Sequence, residues 1–157
     1  MSDNETDVSL LWTQGLIPLS DLDSEYLHLD ESGFYALYGG KVNQSDNRFD
    51  EAELLYIGQA YNQSIRERVK QEHPAYDCIK QYLRMNNGHQ LLMKAGVIQR
   101  CTQKNVTEQL FDDIEACLIQ ENQPMCNRQN KQHYQGRSIR IQNRHSEGLL
   151  TYLCVYR

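Results

Sequence analysis

The chain has 157 residues, 39% of them apolar and 24% charged, with a formal net charge of −5. This length suits one domain with a single core, and no apolar run approaches the length of a membrane span. Five scattered cysteines without a CxxC pair argue against a disulfide framework and a thiolate zinc site, and the absence of a basic-then-apolar leader predicts a cytoplasmic protein.

The N-terminal part predicts little regular structure. Residues 1–9 are acidic and polar, which predicts disorder. The apolar patches that follow, up to Leu19, are interrupted by glycine and proline, so we expect an irregular lead-in. Ser20 and Asp21 then indicate the capped start of a short helix that runs to about Leu27.

Two strand-like runs come next, GFYALY at 33–38 and LLYIG at 54–58. Each has a tyrosine in its middle, and if the runs pair as a hairpin, Tyr35 and Tyr56 emerge side by side. The segment 39–53 between them is polar and glycine-rich, which predicts a loop that projects into solvent.

A helix is predicted to begin at Ser64, because Ser64 and Glu67 have the spacing of a capping box. Arg66 and Lys70, four residues apart, lie one above the other on its surface. Cations at a helix N-terminus are typical of a phosphate site. The alternative is an ordinary solvated face whose basic residues, including Arg68, pair with acidic neighbours.

A second helix is predicted from Ala75 to about Met85, and a third strand in the later part of 90–100. The most regular helix follows a capping-box pattern at 105–108. Its predicted buried stripe is Val106, Leu110, Ile114, Cys117 and Leu118.

Glu115 stands out on this last helix, because it lies between Phe111 and Leu118 at the margin of the apolar stripe. A carboxylate in that place needs a cation or hydrogen-bond donors. A salt bridge to a nearby lysine or arginine is the purely structural explanation, and the sequence leaves both open.

Charge is distributed unevenly along the chain. Residues 1–53 hold twelve acidic and two basic residues, whereas residues 128–157 hold one and six. The run from Arg137 to Ile141 alternates and predicts a strand or extended arm with Arg137 and Arg140 facing the same way, and 149–156 predicts a last strand. The candidates to follow a nucleic-acid backbone are Arg128, Lys131, Arg137, Arg140 and Arg144. The alternative is a basic surface neutralised by the acidic N-terminal part.

Five elements together resemble the GIY-YIG nucleases: Gly33-Phe34-Tyr35, Tyr56-Ile57-Gly58, Arg66, Glu115 and Asn127. Their order is that of the family, as are the steps of ten residues from Tyr56 to Arg66 and twelve from Glu115 to Asn127. The match covers about residues 32–128.

The resemblance implies a small α+β domain at 32–128, in which a three-stranded antiparallel sheet is flanked by helices. An acidic lead-in at 1–31 would precede it, and a basic C-terminal extension at 129–157 would pack on the same domain. The implied activity is metal-dependent endonucleolytic hydrolysis of DNA phosphodiesters, with RNA also open.

The resemblance also implies roles for individual residues. Glu115 would be the sole protein ligand of Mg²⁺ or Mn²⁺, and Tyr35 would be the base beside the attacking water. Tyr56 would hydrogen-bond the phosphate or the water, Arg66 would stabilise charge in the transition state, and Asn127 would fix the loop near Glu115.

The chain departs from the family pattern at two places. Gln59 stands where relatives often carry lysine, and Lys70 stands where they show histidine or tyrosine, so Lys70 and His73 are further catalytic candidates. Two alternatives to a nuclease follow: a GIY-YIG-like module that binds nucleic acid or a partner without turnover, and an unrelated α+β binding domain with core tyrosines.

Overall fold

The structure is a computed structural model that describes residues 4–22, 28–43, 48–73, 75–128, 134 and 136–156. The strands in these residues are β1 (Thr6–Trp12), β2 (Ile17–Pro18), β3 (Gly33–Asn43), β4 (Arg48–Ala60), β5 (Gln90–Cys101), β6 (Ile139–Arg144) and β7 (Leu153–Tyr156). The α-helices are α1 (Ile65–Lys70), α2 (Ala75–Met85) and α3 (Glu108–Asn122).

All seven strands belong to one mixed sheet in the order β4-β3-β5-β1-β6-β7, with β2 also paired to β5. Only β1 and β6 run parallel among the pairs that the structure describes. The predicted small three-stranded sheet flanked by helices is therefore wrong. The three expected strands β4, β3 and β5 are neighbours, but β1, β6 and β7 extend the same sheet beyond them.

The extension begins with β1, at the N-terminal end where disorder and an irregular lead-in were predicted. Val8, Leu10 and Trp12 of β1 alternate with less buried residues and face the core. This period-two pattern buries one face of the strand in the core that contains α3, while its two edges pair with β5 and β6. Its apolar alternation outweighs the acidic composition of the segment.

The sheet curls around α3. This helix contacts both β4 and β7, which are the two edges of the sheet, so the sheet must bend round it as a half-barrel. We call the side that holds α3 the concave face. The main core lies there, where Phe34 of β3 stacks on Phe111 of α3 with ring centroids 4.7 Å apart.

The opposite, convex face carries α1 and α2. Ile65 and Val69 of α1 and Ile79 of α2 are buried there with Leu37 and Met93 of the sheet. This second core covers only the half of the convex face that is formed by β3, β4 and β5.

The helix starts agree with the sequence in two of three cases. Ser64 caps α1 and accepts a hydrogen bond from the Glu67 backbone N–H, and α2 has the predicted bounds. α3 instead begins two residues later than the capping-box pattern indicated, with Thr107 as its N-cap. Val106 therefore lies outside the helix and is exposed, whereas the rest of the predicted stripe is buried.

Much of the segment predicted as a solvent loop, 39–53, is strand. β3 continues to Asn43 and β4 begins at Arg48, so the two tyrosine strands form a longer hairpin. The helix predicted up to Leu27 is described only at its start, where Leu19–Asp21 form one 3-10 turn; residues 23–27 lie outside the described residues.

One disulfide joins Cys78 of α2 to Cys126, which follows α3. The expectation that the cysteines carry no disulfide is therefore wrong for this pair, because the fold brings two residues far apart in sequence together. Cys101, Cys117 and Cys154 are free thiols. In the described part of the chain, no helix combines the length and the apolar character that crossing a membrane requires.

Candidate active site at the edge of β4

Tyr35 and Tyr56 lie side by side at the edge of the sheet, as the hairpin interpretation predicted. Tyr35 in β3 is paired with Gly58 in β4, and its ring lies over that glycine: a Cβ at position 58 would be 2.4 Å from Tyr35 Oη. Glycine thus lets the phenol reach across the edge strand. The ring centroids of Tyr35 and Tyr56 are 6.0 Å apart.

The guanidinium that faces these tyrosines belongs to Arg68. Burial raises the pKa of Tyr35, of Tyr56 and of Glu115, and the positive charge of Arg68 opposes this shift at all three groups. Arg66 lies on the other flank of α1, where its Nε is 3.0 Å from Asp30 Oδ1. The spacing of ten residues after Tyr56 therefore leads to Arg66, but the structure brings Arg68 to the site.

Lys70, the other basic candidate of α1, is exposed in the last turn of the helix. Arg68 and Glu115 are among the groups whose charge acts on Tyr35 and Tyr56. The catalytic role of Lys70 stays a prediction, whereas His73 contacts the tyrosines directly.

His73 packs between the tyrosines. Its Nε2 is 3.5 Å from Tyr35 Oη, and its ring centroid lies 4.4 Å from that of Tyr56 and 4.9 Å from that of Tyr76. The backbone N–H of Ala75 donates to His73 Nδ1 at 3.2 Å. Burial and Arg68 lower the pKa of His73, so the ring is neutral at neutral pH, and a neutral ring that accepts at Nδ1 carries its proton on Nε2. His73 thus donates towards Tyr35 Oη.

Burial determines the protonation of the phenols. Desolvation raises the pKa of both Tyr35 and Tyr56, and the negative charge of Glu115 raises both further. Arg68 opposes this shift without cancelling it. Without an added cation, both phenols stay protonated at neutral pH.

Glu115 reaches the same place from α3. Burial, and then the charge of Asp112 one turn earlier, raise the pKa of Glu115 to about 7, while Arg68 and the Gln59 side chain hold it down. Glu115 therefore titrates much closer to neutral pH than an ordinary carboxyl. Glu115 belongs to the helix on the concave face and the two tyrosines to the convex face, and its charge acts on both phenols around the edge of the sheet.

Asp112 and Gln59 are polar neighbours of Glu115. Gln59 Nε2 donates to Asp112 Oδ1 at 2.6 Å, which leaves Gln59 Oε1 buried with no hydrogen-bond partner in the described part of the chain. No group of three or more acidic, histidine or cysteine side chains is assembled there for a metal among the described residues. Asp112 was not predicted as a site residue, although its position three residues before Glu115 places it next to Glu115 on the same helix.

Asn127 fastens the edge strand next to Tyr56. Its side chain is buried and makes two hydrogen bonds to the backbone of Ile57: it accepts from the N–H at 2.9 Å and donates to the carbonyl at 3.0 Å. The Cys126 N–H donates to the Leu55 carbonyl at 2.7 Å. Asn127 thus acts on the strand that carries Tyr56, and not only on its own loop.

No family model, no curated protein and no solved structure matches this chain. The resemblance to the GIY-YIG nucleases therefore rests on the residue pattern of the sequence alone and stays a prediction.

The predicted nucleic-acid contacts are spread over three places. Arg128 is exposed directly after Asn127, and Arg140 and Arg144 are exposed on β6. Arg137 precedes β6 and its Nε lies 2.7 Å from Asp113 Oδ2 of α3. Arg137 and Arg140 therefore face opposite sides of the sheet, so the prediction that they face the same way is wrong. Lys131 lies outside the described residues.

Proposed function

We propose that this protein is a metal-dependent endonuclease that hydrolyses phosphodiester bonds in DNA. The observation that carries the proposal is the convergence of Tyr35, Tyr56, Arg68 and Glu115 at one edge of the sheet. Two phenols, a guanidinium and a carboxylate on rigid elements are the groups that hydrolysis of a phosphodiester requires: ligands for a cation, a proton acceptor and a positive charge for the transition state.

Glu115 would hold Mg²⁺ or Mn²⁺ in this proposal, with Asp112 and Gln59 Oε1 nearby as further oxygen donors. A cation bound there would polarise the scissile phosphate and neutralise charge on it. Arg68 then takes the role assigned to Arg66 in the sequence: its planar guanidinium stabilises the extra negative charge that develops on the phosphate oxygens.

Tyr35 is the proposed proton acceptor for the attacking water. Its raised pKa means that it needs help to lose its own proton, and three groups can supply it: Arg68, a bound cation and the Nε2–H of His73. A hydrogen bond from His73 favours the phenolate of Tyr35, so His73 is a positioning residue that acts through Tyr35. Tyr56 would donate its hydroxyl proton to the phosphate or the water.

The second candidate function is a nucleic-acid-binding or adaptor module without turnover. Gln59 favours it, because a neutral side chain stands where related nucleases often have lysine. A cytoplasmic location belongs to either proposal, since both need access to nucleic acid.

Cleavage of supercoiled plasmid in Mg²⁺ or Mn²⁺ separates the two functions. The nuclease proposal expects nicking by the wild-type chain that is lost in Glu115→Gln and retained in Glu108→Gln, an exposed position in the first turn of the same helix. Plasmid binding by the wild-type chain without any nicking would support the adaptor instead. Equal nicking by Glu115→Gln and the wild type would contradict the proposed site.

A further inference from the structure

The half of the convex face that α1 and α2 leave uncovered is rich in arginine. It is formed by β1, β6, β7 and the last residues of β5. Arg100 of β5 and Arg140 and Arg144 of β6 are all exposed there. We call Arg100, Arg140, Arg144, Ser9 and Gln142 the arginine face.

The strand register places these five side chains on the same side of the sheet. Ser9 of β1 is paired with Arg100 on one side and with Gln142 on the other. Directly paired residues project from the same face, and so do Arg140, Gln142 and Arg144, which alternate along β6. With strands about 4.8 Å apart and a rise of about 3.3 Å per residue, neighbouring arginines are roughly 10 to 15 Å from one another. A groove of about 640 Å³ lies between Arg100 and Arg140.

Little of this positive charge is neutralised within the protein. Among the described residues, Asp7 is the only carboxylate within salt-bridge distance of the three arginines, 3.9 Å from Arg140, and both side chains are about half exposed. Such a pair contributes little and exchanges readily with an outside anion. Arg144 donates to the neutral Gln99 at 2.8 Å. The acidic N-terminal part of the chain thus offsets one arginine weakly and leaves the other two unpaired by any described carboxylate.

We propose that the arginine face binds the phosphate backbone of the substrate nucleic acid away from the cleaved bond. Guanidinium, hydroxyl and carboxamide groups are the usual donors to backbone phosphates, and all three are present on strands that hold them rigidly. This inference rests on the proposed function, because a nucleic acid cleaved at the edge of β4 is the polyanion that would bind the arginine face.

The distance between the two places predicts how long the substrate must be. Ala95 of β5 is paired with Tyr35, and Arg100 lies five residues further along the same strand. At about 3.3 Å per residue this is roughly 17 Å along the strands, and the two strand spacings of about 4.8 Å between β5 and the edge strand β4 make the separation roughly 19 Å. Since a duplex rises about 3.4 Å per base pair, the bound nucleic acid extends about five to six base pairs beyond the scissile bond before it meets Arg100.

Binding of a labelled DNA duplex of about 24 base pairs, in EDTA so that no cleavage occurs, tests this proposal through its salt dependence. The double variant Arg100→Ala/Arg140→Ala removes two phosphate contacts. We expect binding about tenfold weaker and a slope of log K against log salt that is less steep by about 2. Arg100→Lys/Arg140→Lys, which keeps the charge, should retain most of the slope. The matched control Lys80→Ala/Arg84→Ala removes two exposed charges from α2 and should leave the slope unchanged.

A hairpin DNA with a stem of only about four base pairs, too short to reach from the site to Arg100, should bind wild type and double variant equally. Equal slopes for the double variant and the wild type on the long duplex would overturn the proposal, as would the same loss in the α2 control. Thermal unfolding of each variant verifies that it is folded. If the double variant has a less steep slope but the wild-type chain nicks no plasmid, the proposed nuclease function fails and the arginine face stands. If the wild-type chain nicks plasmid but the double variant has an unchanged slope, the nuclease function stands and the arginine face fails.

Discussion

At the scale of single residues, Glu115 is central to the proposed activity, and its charged form lowers the stability of the fold. Its side chain is half-buried beside Asp112, and its pKa is raised to about 7 from an ordinary value of 4.5. A group whose pKa is raised by folding stabilises the folded chain while it is protonated, and this contribution is lost as the pH rises from about 4.5 through 7. Above pH 7 the carboxylate of Glu115 is charged in the folded protein, where water solvates it less well than in the unfolded chain.

Glu115→Gln should therefore stabilise the protein at high pH while it removes activity. The pKa difference corresponds to about 3 kcal/mol at pH 8, and to almost nothing at pH 4, where the carboxyl is protonated in both states. Urea unfolding of variant and wild type at these two pH values measures the effect. A stability difference that is the same at both pH values would show that the carboxylate is not desolvated as we describe.

The role of Arg68 could not be predicted from the sequence. Each residue turns an α-helix by about 100°, so Arg66 and Arg68 lie about 80° to either side of the line between Ile65 and Val69. Helical periodicity therefore marks both as flanking the buried stripe and cannot say which flank faces the tyrosines. The ten-residue spacing after Tyr56 favours Arg66, and only the orientation of α1 on the sheet indicates Arg68.

At the scale of elements, the edge strand β4 depends on a segment that comes far later in the chain. Asn127 satisfies both backbone groups of Ile57, directly beside Tyr56. An edge strand has no neighbouring strand to do this, so the side chain substitutes for one. The position of Tyr56 is thereby coupled to the end of α3.

Asn127→Ala should destabilise the protein by about 2 to 4 kcal/mol, because it leaves a buried N–H and a buried carbonyl without partners. It should also lower nicking activity by displacing Tyr56. Chemical denaturation gives the first effect, and Asn87→Ala, at an exposed position, is the matched control. A loss no larger than that of Asn87→Ala would contradict the role of Asn127 in holding β4.

Local patterns gave several elements correctly and missed others for identifiable reasons. The cap at Ser64, the bounds of α2 and the alternation of Tyr35 with Phe34 follow from short-range chemistry. Acidic composition predicts disorder at residues 1–9, whereas the alternation of Val8, Leu10 and Trp12 produces the strand β1. The hairpin extension was missed because glycine and polar residues also occur in strands that partner strands support.

At the scale of the whole molecule, the sheet joins the first and last parts of the chain. β1 pairs in parallel with β6, so residues near position 8 lie beside residues near position 141. Such a long-range parallel pair leaves no local signal in a sequence, which is why the expected three-stranded domain was too small. The predicted lead-in and C-terminal extension both contribute strands to the sheet that holds the candidate site.

The disulfide is a second long-range tie, and it anchors the Asn127 segment to α2. Its sequence separation of 48 residues corresponds to about 4 kcal/mol of stabilisation from loop closure alone. Cys78→Ser/Cys126→Ser should unfold at lower denaturant concentration, with a loss of about 2 to 4 kcal/mol, and reduced wild type should match it. Cys101→Ser, which removes a free thiol, is the control. A double variant as stable as the oxidised wild type would contradict a stabilising disulfide.

The most direct test of the central claim compares Arg68→Ala with Arg66→Ala in single-turnover plasmid nicking with Mn²⁺. The two substitutions remove the same side chain from opposite flanks of one six-residue helix. We expect Arg68→Ala to lower the rate by about 10²- to 10³-fold, the typical cost of losing one group that stabilises transition-state charge, and Arg66→Ala to change it by less than about tenfold. A larger loss in Arg66→Ala than in Arg68→Ala, or equal rates for Arg68→Ala and wild type, would contradict the site described at the edge of β4.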